Sequence, residues 1–187
     1  MTTLTQQAQL RLQHFLHDGS IAIDATVGNG HDTVFLAERV GPNGKVFGFD
    51  VQQTALDNTK GKLQENNLLS RVELLHCSHA RMAEKVAQQY HGRIAVIMFN
   101  LGYLPGSDKS IITQTQSTLP ALQQTLQLLQ QGGCLSIMLY PGHAGGDSEA
   151  EAVKHWADQL DASWRVSHIS TAGPQLLLID RLNDPVE

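Results

Sequence analysis

The sequence predicts a doubly wound α/β fold, in which a mostly parallel sheet carries helices on both faces and one strand runs in reverse. Three observations carry this reading. Short apolar runs alternate along the chain with segments of helical periodicity. A glycine-bearing turn, Asp24-Ala25-Thr26-Val27-Gly28-Asn29-Gly30-His31-Asp32, joins the first apolar run to the helical segment that follows. The last two apolar runs are separated by Ala172-Gly173-Pro174, a connection too short for a parallel crossover.

Leu4, Ala8, Leu12, Phe15 and Leu16 recur at helical spacing and line a first helix that Gly19 can end. Ile21-Ala22-Ile23 is a short strand. Residues 30–40 read as a helix closed by Gly41-Pro42-Asn43-Gly44, and 45–49 as the second strand. Ala55, Leu56, Thr59 and Leu63 line the next helix. A third strand over 72–75 and a helix carrying Met82, Val86, Ala87 and Tyr90 lead to residues 94–99, whose unbroken apolar run suits a strand buried on both faces. Ile111, Ile112, Thr115, Leu119, Leu122, Leu126 and Leu129 share one face of a long helix capped by Gly132-Gly133. Strand 134–139 follows, then a helix with Ala150, Val153, Trp156, Ala157 and Leu160 inward, then an antiparallel pair over 164–170 and 176–182. The sum is a seven-stranded sheet with one antiparallel strand, the arrangement of the class I methyltransferase (Rossmann-like) fold.

Composition fits one domain over residues 1–187: 41% hydrophobic and 17% charged residues suit a soluble globular chain. A net charge of -5 argues against non-specific binding along a nucleic-acid backbone, though not against a small footprint on a folded RNA. No apolar run is long enough to span a membrane, and the N-terminus lacks the pattern of a secretory signal, so a cytoplasmic location is expected. Cys77 and Cys134 form no disulfide framework or zinc spacing, and both read as small buried hydrophobes.

In the glycine turn, small residues let backbone amides approach a ligand. Asp50 ends the second strand, where a carboxylate can accept both hydroxyls of a ribose. Together these predict a site for an adenosine-containing ligand. A dinucleotide site would want a third glycine where Thr33 stands, and Asp24 suits a ligand carrying an ammonium and a sulfonium, so S-adenosyl-L-methionine fits better than NAD. The competing reading is a tight turn with Asp24 capping the helix, which leaves Asp50 unexplained.

Asn100-Leu101-Gly102-Tyr103 stands at the end of the fourth strand, beside the switch point of such folds. An Asn oxygen can accept hydrogens from a target nitrogen and an aromatic ring can stack on a base. The run resembles the Asn/Asp-Pro-Pro-Tyr motif of amino-group methyltransferases without its prolines; otherwise Asn100 caps a turn. Nine histidines raise a metal reading, but His14/His17 and His76/His79 lack a third well-spaced ligand, and no metal is expected. His31, Asp32 and His143 fall on the predicted active edge, where each could take a proton from an amine or merely orient a loop. No nucleophile elbow or P-loop is present.

The stretches 24–33, 100–109 and 140–146, the last being Tyr140-Pro-Gly-His-Ala-Gly-Gly146, together resemble the rRNA methylase family, whose characterised members are MnmM-type tRNA methyltransferases. The resemblance covers nearly the whole chain. It implies methyl transfer from S-adenosyl-L-methionine to the amine of 5-aminomethyl-2-thiouridine at the tRNA wobble position, with the anticodon stem-loop as partner and a homodimer as the assembly. The family often has an acidic residue after the third strand where this chain has Cys77-Ser78-His79. The expected cofactor-binding residues are Asp24, Gly28, Asn29, Gly30, His31, Asp32, Asp50, Gln52, Ser78, His79, Asn100 and Leu101. The expected catalytic residues are Asn100, Tyr103, Asp32 and His143. An NAD-type oxidoreductase, a methyltransferase for rRNA or a small amine, and a non-catalytic binding module are the alternatives.

Overall fold

A computed structural model describes residues 2–102, 112–142 and 145–183. Seven strands form one sheet in the order β3-β2-β1-β4-β5-β7-β6. They are β1 (Ile21–Asp24), β2 (Lys45–Asp50), β3 (Val72–His76), β4 (Ile94–Leu101), β5 (Leu129–Leu139), β6 (Trp164–Ser170) and β7 (Gln175–Arg181). β7 lies antiparallel between β5 and β6, and the remaining pairs are parallel. This is the class I methyltransferase arrangement. The order reverses between β1 and β4, which opens a crevice at their carboxyl ends.

Alternation along each strand builds two cores. Phe47, Phe49, Ile97, Phe99, Ile137 and Ile179 point to one face, where α4 (Met82–Lys85), α5 (Thr115–Leu128) and α6 (Gly146–Asp158) cover them. Val46, Val96, Met98, Met138 and Leu178 point to the other, under α1 (Leu4–Leu12), α2 (His31–Arg39) and α3 (Gln53–Glu65). The period of two in β4 thus feeds both layers, which is why its sequence is apolar throughout. A capping box starts α1: the Gln6 N–H donates to Thr3 Oγ1 at 3.2 Å and the Thr3 N–H to Gln6 Oε1 at 2.9 Å. Arg11, near the end of the helix, donates to Asp180 of β7 at 2.7 Å, and so does Arg165 of β6.

Two elements differ from expectation. The helix expected around Met82 to Tyr90 stops at Lys85, because Val86 is buried and extended (ψ 121°). Its carbonyl accepts from His91 Nε2 at 3.0 Å, and the chain turns so that Tyr90 packs on Phe47, ring centroids 5.5 Å apart. Likewise α5 ends at Leu128 rather than at the Gly132-Gly133 pair. Leu129 is already extended and pairs with Ile94, and β5 shifts register before Cys134. At the other end Ile112 precedes the helix and faces the crevice, while Ile111 lies outside the described residues.

Candidate active site

The carboxyl ends of β1, β2 and β4 border a cleft of about 560 Å³, within the range of small-molecule sites. The turn after β1 forms its floor. Gly28 (φ +51°) and Gly30 (φ +77°) adopt left-handed backbone that a side chain would strain. Gly30 faces away from the cleft: a Cβ there would come within 2.5 Å of Thr59 on α3, which is fully buried. Gly30→Val is therefore expected to cost several kcal/mol of stability, about 3 or more, through strain and overpacking rather than by filling ligand space. Urea unfolding measures it, and a midpoint equal to wild type would contradict this packing.

Asp50 stands on the wall beside the turn. Its Oδ2 accepts the Gly28 N–H at 2.8 Å and its Oδ1 the Gln52 N–H at 2.9 Å, so backbone donors aim the carboxylate and leave further lone pairs for ligand hydroxyls. Val27, Phe49 and Val51 make an apolar wall around it. Ser78 and His79 follow β3 on the same side; His79 is buried and donates from Nδ1 to the Ala25 carbonyl at 3.2 Å. Burial lowers its pKa, which keeps the ring neutral. Among the described residues its buried Nε2 has no partner, and it carries the lone pair of this tautomer.

Asn100 and Asp32 form the opposite wall. Asn100 lies within β4 rather than capping a turn, and its N–H donates to Thr26 Oγ1 at 2.7 Å. Its Nδ2 donates to Asp32 Oδ2 at 2.8 Å, while Gln9 Nε2 reaches Asp32 Oδ1 at 2.9 Å from α1. Tyr140, at the end of β5, lies against Gly102, and burial with the Asp32 charge raises its pKa. Thr113 completes this end of the cleft; with Thr118 it donates to the buried Glu149 of α6, at 2.7 and 2.6 Å.

Nine of the expected residues therefore line one cleft: Gly28, Asn29, His31, Asp32, Asp50, Gln52, Ser78, His79 and Asn100. Asp24, Gly30 and Leu101 do not line it. Asp24 is fully buried beneath the turn, where it accepts from the Thr26 N–H at 3.1 Å and from Thr33 Oγ1 at 2.6 Å, and it does not cap α2. Leu101 packs into the core. Tyr103 and His143 lie outside the described residues. Among the described residues no three His, Cys, Asp or Glu side chains cluster to hold a metal, and no helix is long and apolar enough to cross a membrane.

Residues 46–175 match the family described as "Putative rRNA methylase". The chain belongs to this family. It is 35% identical over 167 residues to the Arabidopsis thaliana "tRNA (mnm(5)s(2)U34)-methyltransferase, chloroplastic", a match that covers 85% of this chain and 60% of that relative. A "putative rRNA-methylase" structure from Clostridium thermocellum superposes with a TM-score of 0.92 at 35% identity, covering 97% of this chain and 99% of that one. A "putative methyltransferase" from Streptococcus mutans, solved in complex with SAH, gives 0.86 at 36% identity over 97% and 99%.

In this rRNA methylase family member, Asp24 couples the turn to pH. Burial first, then the charges of Asp32 and Asp50, push its pKa from 3.8 up to about 7, against hydrogen bonds from Thr33 and Thr26. The folded state thus holds this proton more tightly than the unfolded chain. Its stabilising share is intact below about pH 4 and is lost as pH rises towards about 7, in all about 4 kcal/mol. Asp24→Asn removes the titration, and the amide can still bond Thr33 and Thr26. The stability of the variant relative to wild type should therefore rise between about pH 5 and about pH 8. Denaturant titrations at both pH values check this; a constant difference would place the Asp24 titration elsewhere.

Thr5, Gln9, Thr113 and Tyr140 belong to the site although sequence reasoning assigned them no role. Tyr140 had a readable signal, an aromatic at the end of the fifth strand. Gln9 had none beyond its placement one turn from Thr5 on the same helix face.

Proposed function

We propose that this chain is an S-adenosyl-L-methionine-dependent methyltransferase that N-methylates the aminomethyl group of 5-aminomethyl-2-thiouridine at the tRNA wobble position. It works in the cytoplasm, as a homodimer, on the anticodon stem-loop. The observation that carries the reading is one cleft holding a backbone-aimed carboxylate, Asp50, on one wall and an oriented amide, Asn100, on the other.

The residues fit the cofactor. Asp50 accepts the ribose hydroxyls, Val27, Phe49 and Val51 cover an adenine face, and the unpartnered Nε2 of His79 accepts an N–H at that end. Asp32 places negative charge where a cationic ligand gains by it. When bound, S-adenosyl-L-methionine supplies a methyl group made electrophilic by its sulfonium sulfur. The chain's own residues then prepare the acceptor. With Nδ2 committed to Asp32, Asn100 presents Oδ1 to the amine and orients its lone pair, and the Tyr140 ring offers a stacking face for the base. An ammonium has no lone pair, and desolvation in the cleft beside a positive charge favours the neutral amine. Asp32 and His143 are the side chains expected to help the proton leave.

The direct test is mass spectrometry of tRNA nucleosides from cells with and without the protein. Loss of the methylated wobble nucleoside with accumulation of its free amine is the expected result. Unchanged tRNA with a methyl missing from rRNA would reassign the acceptor.

A further inference from the structure

We infer that Gln9 and Asp32 are positioning residues that hold the Asn100 amide in the one orientation that offers oxygen, not NH2, to the reacting nitrogen. This rests on Asn100 being the acceptor for that nitrogen.

An Asn amide can rotate by half a turn at little steric cost and then presents two hydrogens instead of a lone pair. In the flipped state Asn100 would repel the N–H groups of an amine. What decides the orientation is its neighbour. Asp32 Oδ2 lies 2.8 Å from the Asn100 amide, and an ionised carboxylate only accepts, so the NH2 end must face it. Asp32 is itself fixed: it sits in the first turn of α2, only 8% exposed, and its second oxygen receives Gln9 Nε2 at 2.9 Å. Three elements distant in sequence, α1, α2 and β4, thus form one chain of donors and acceptors whose direction ends at Asn100.

This makes the N-terminal helix part of the reaction site. α1 is anchored independently of Gln9: Leu4, Ala8 and Leu12 are buried in the core, and Arg11 holds Asp180. Thr5 lines the cleft and Gln9, one turn on, reaches Asp32, so a Gln9 variant keeps the helix and changes only the relay.

The test is a set of variants read by single-turnover methyl transfer to tRNA bearing 5-aminomethyl-2-thiouridine, with cofactor affinity and melting temperature measured alongside. Asp32→Asn and Asn100→Asp should each slow transfer about tenfold or more, the first by freeing the flip and the second by setting two carboxylates face to face. The exchange Asp32→Asn with Asn100→Asp restores a donor at 32 and an acceptor at 100. It should recover about tenfold over the slower single variant. Gln9→Ala should slow transfer with cofactor affinity unchanged. Gln9→Glu should be slower still at neutral pH, and its rate relative to wild type at the same pH should rise as pH falls, because a protonated Glu donates to Asp32 again.

An exchange variant no faster than the slower single variant would overturn the inference, as would Gln9→Ala and Gln9→Glu at the wild-type rate. In either case slow transfer by Asn100→Ala would leave the reading of Asn100 itself standing. Asn100→Ala at the wild-type rate would remove that reading and the relay with it.

Discussion

Replacing Asn100 with alanine is expected to slow single-turnover methyl transfer by about two orders of magnitude while leaving cofactor affinity within a few-fold of wild type. The asymmetry follows from what the side chain touches. Its amide nitrogen serves Asp32 and its backbone N–H serves Thr26, which leaves the amide oxygen for a substrate. An interaction made mainly with the reacting nitrogen is lost from the rate and not from cofactor binding. Equal losses in both would move Asn100 into the cofactor pocket. The backbone bond to Thr26 survives the substitution, so the strand end keeps its place and the comparison stays clean.

Asp50→Ala should weaken S-adenosyl-L-methionine binding by about a hundredfold or more, because charge-assisted hydrogen bonds to two hydroxyls are worth about 1.5–3 kcal/mol each. Alanine also strips the Gly28 and Gln52 N–H groups of their acceptor, so the floor of the cleft loosens as well. Asp50→Asn separates the two effects. It keeps an acceptor for one backbone N–H and loses the charge, so its affinity should fall between alanine and wild type. Calorimetry reads all three proteins, and an unchanged dissociation constant for alanine would take Asp50 out of the site.

β1, β2 and β7 were legible because each holds a short apolar run bounded by turn residues, and β4 carried the further mark of continuous hydrophobicity, which the two-sided burial of Val96 to Phe99 explains. The helix ends around Val86 and Leu129 were not. In both places a long-range contact overrides local periodicity: Tyr90 must reach Phe47, and Leu129 must pair with Ile94. The same division runs through the site. Asp50 and Asn100 could be placed because strand ends are fixed points of this fold. Asp24 looked like a ligand contact in the motif, yet three-dimensional packing turns its carboxylate under the turn towards Thr33. Gln9 could not be found at all, since it meets Asp32 across 23 residues and Asp32 meets Asn100 across 68. No local pattern encodes such a relay.

In the proposed function one cleft joins an adenosyl cofactor to an amine on the wobble base. This is tested most directly by incubating the purified protein with S-adenosyl-L-methionine and a synthetic anticodon stem-loop bearing 5-aminomethyl-2-thiouridine, then weighing the digested nucleosides. Gain of a single methyl group on the aminomethyl nitrogen is expected, absent when the same position carries an unmodified uridine. No transfer to that stem-loop or to full tRNA, by protein that binds the cofactor normally, would contradict it.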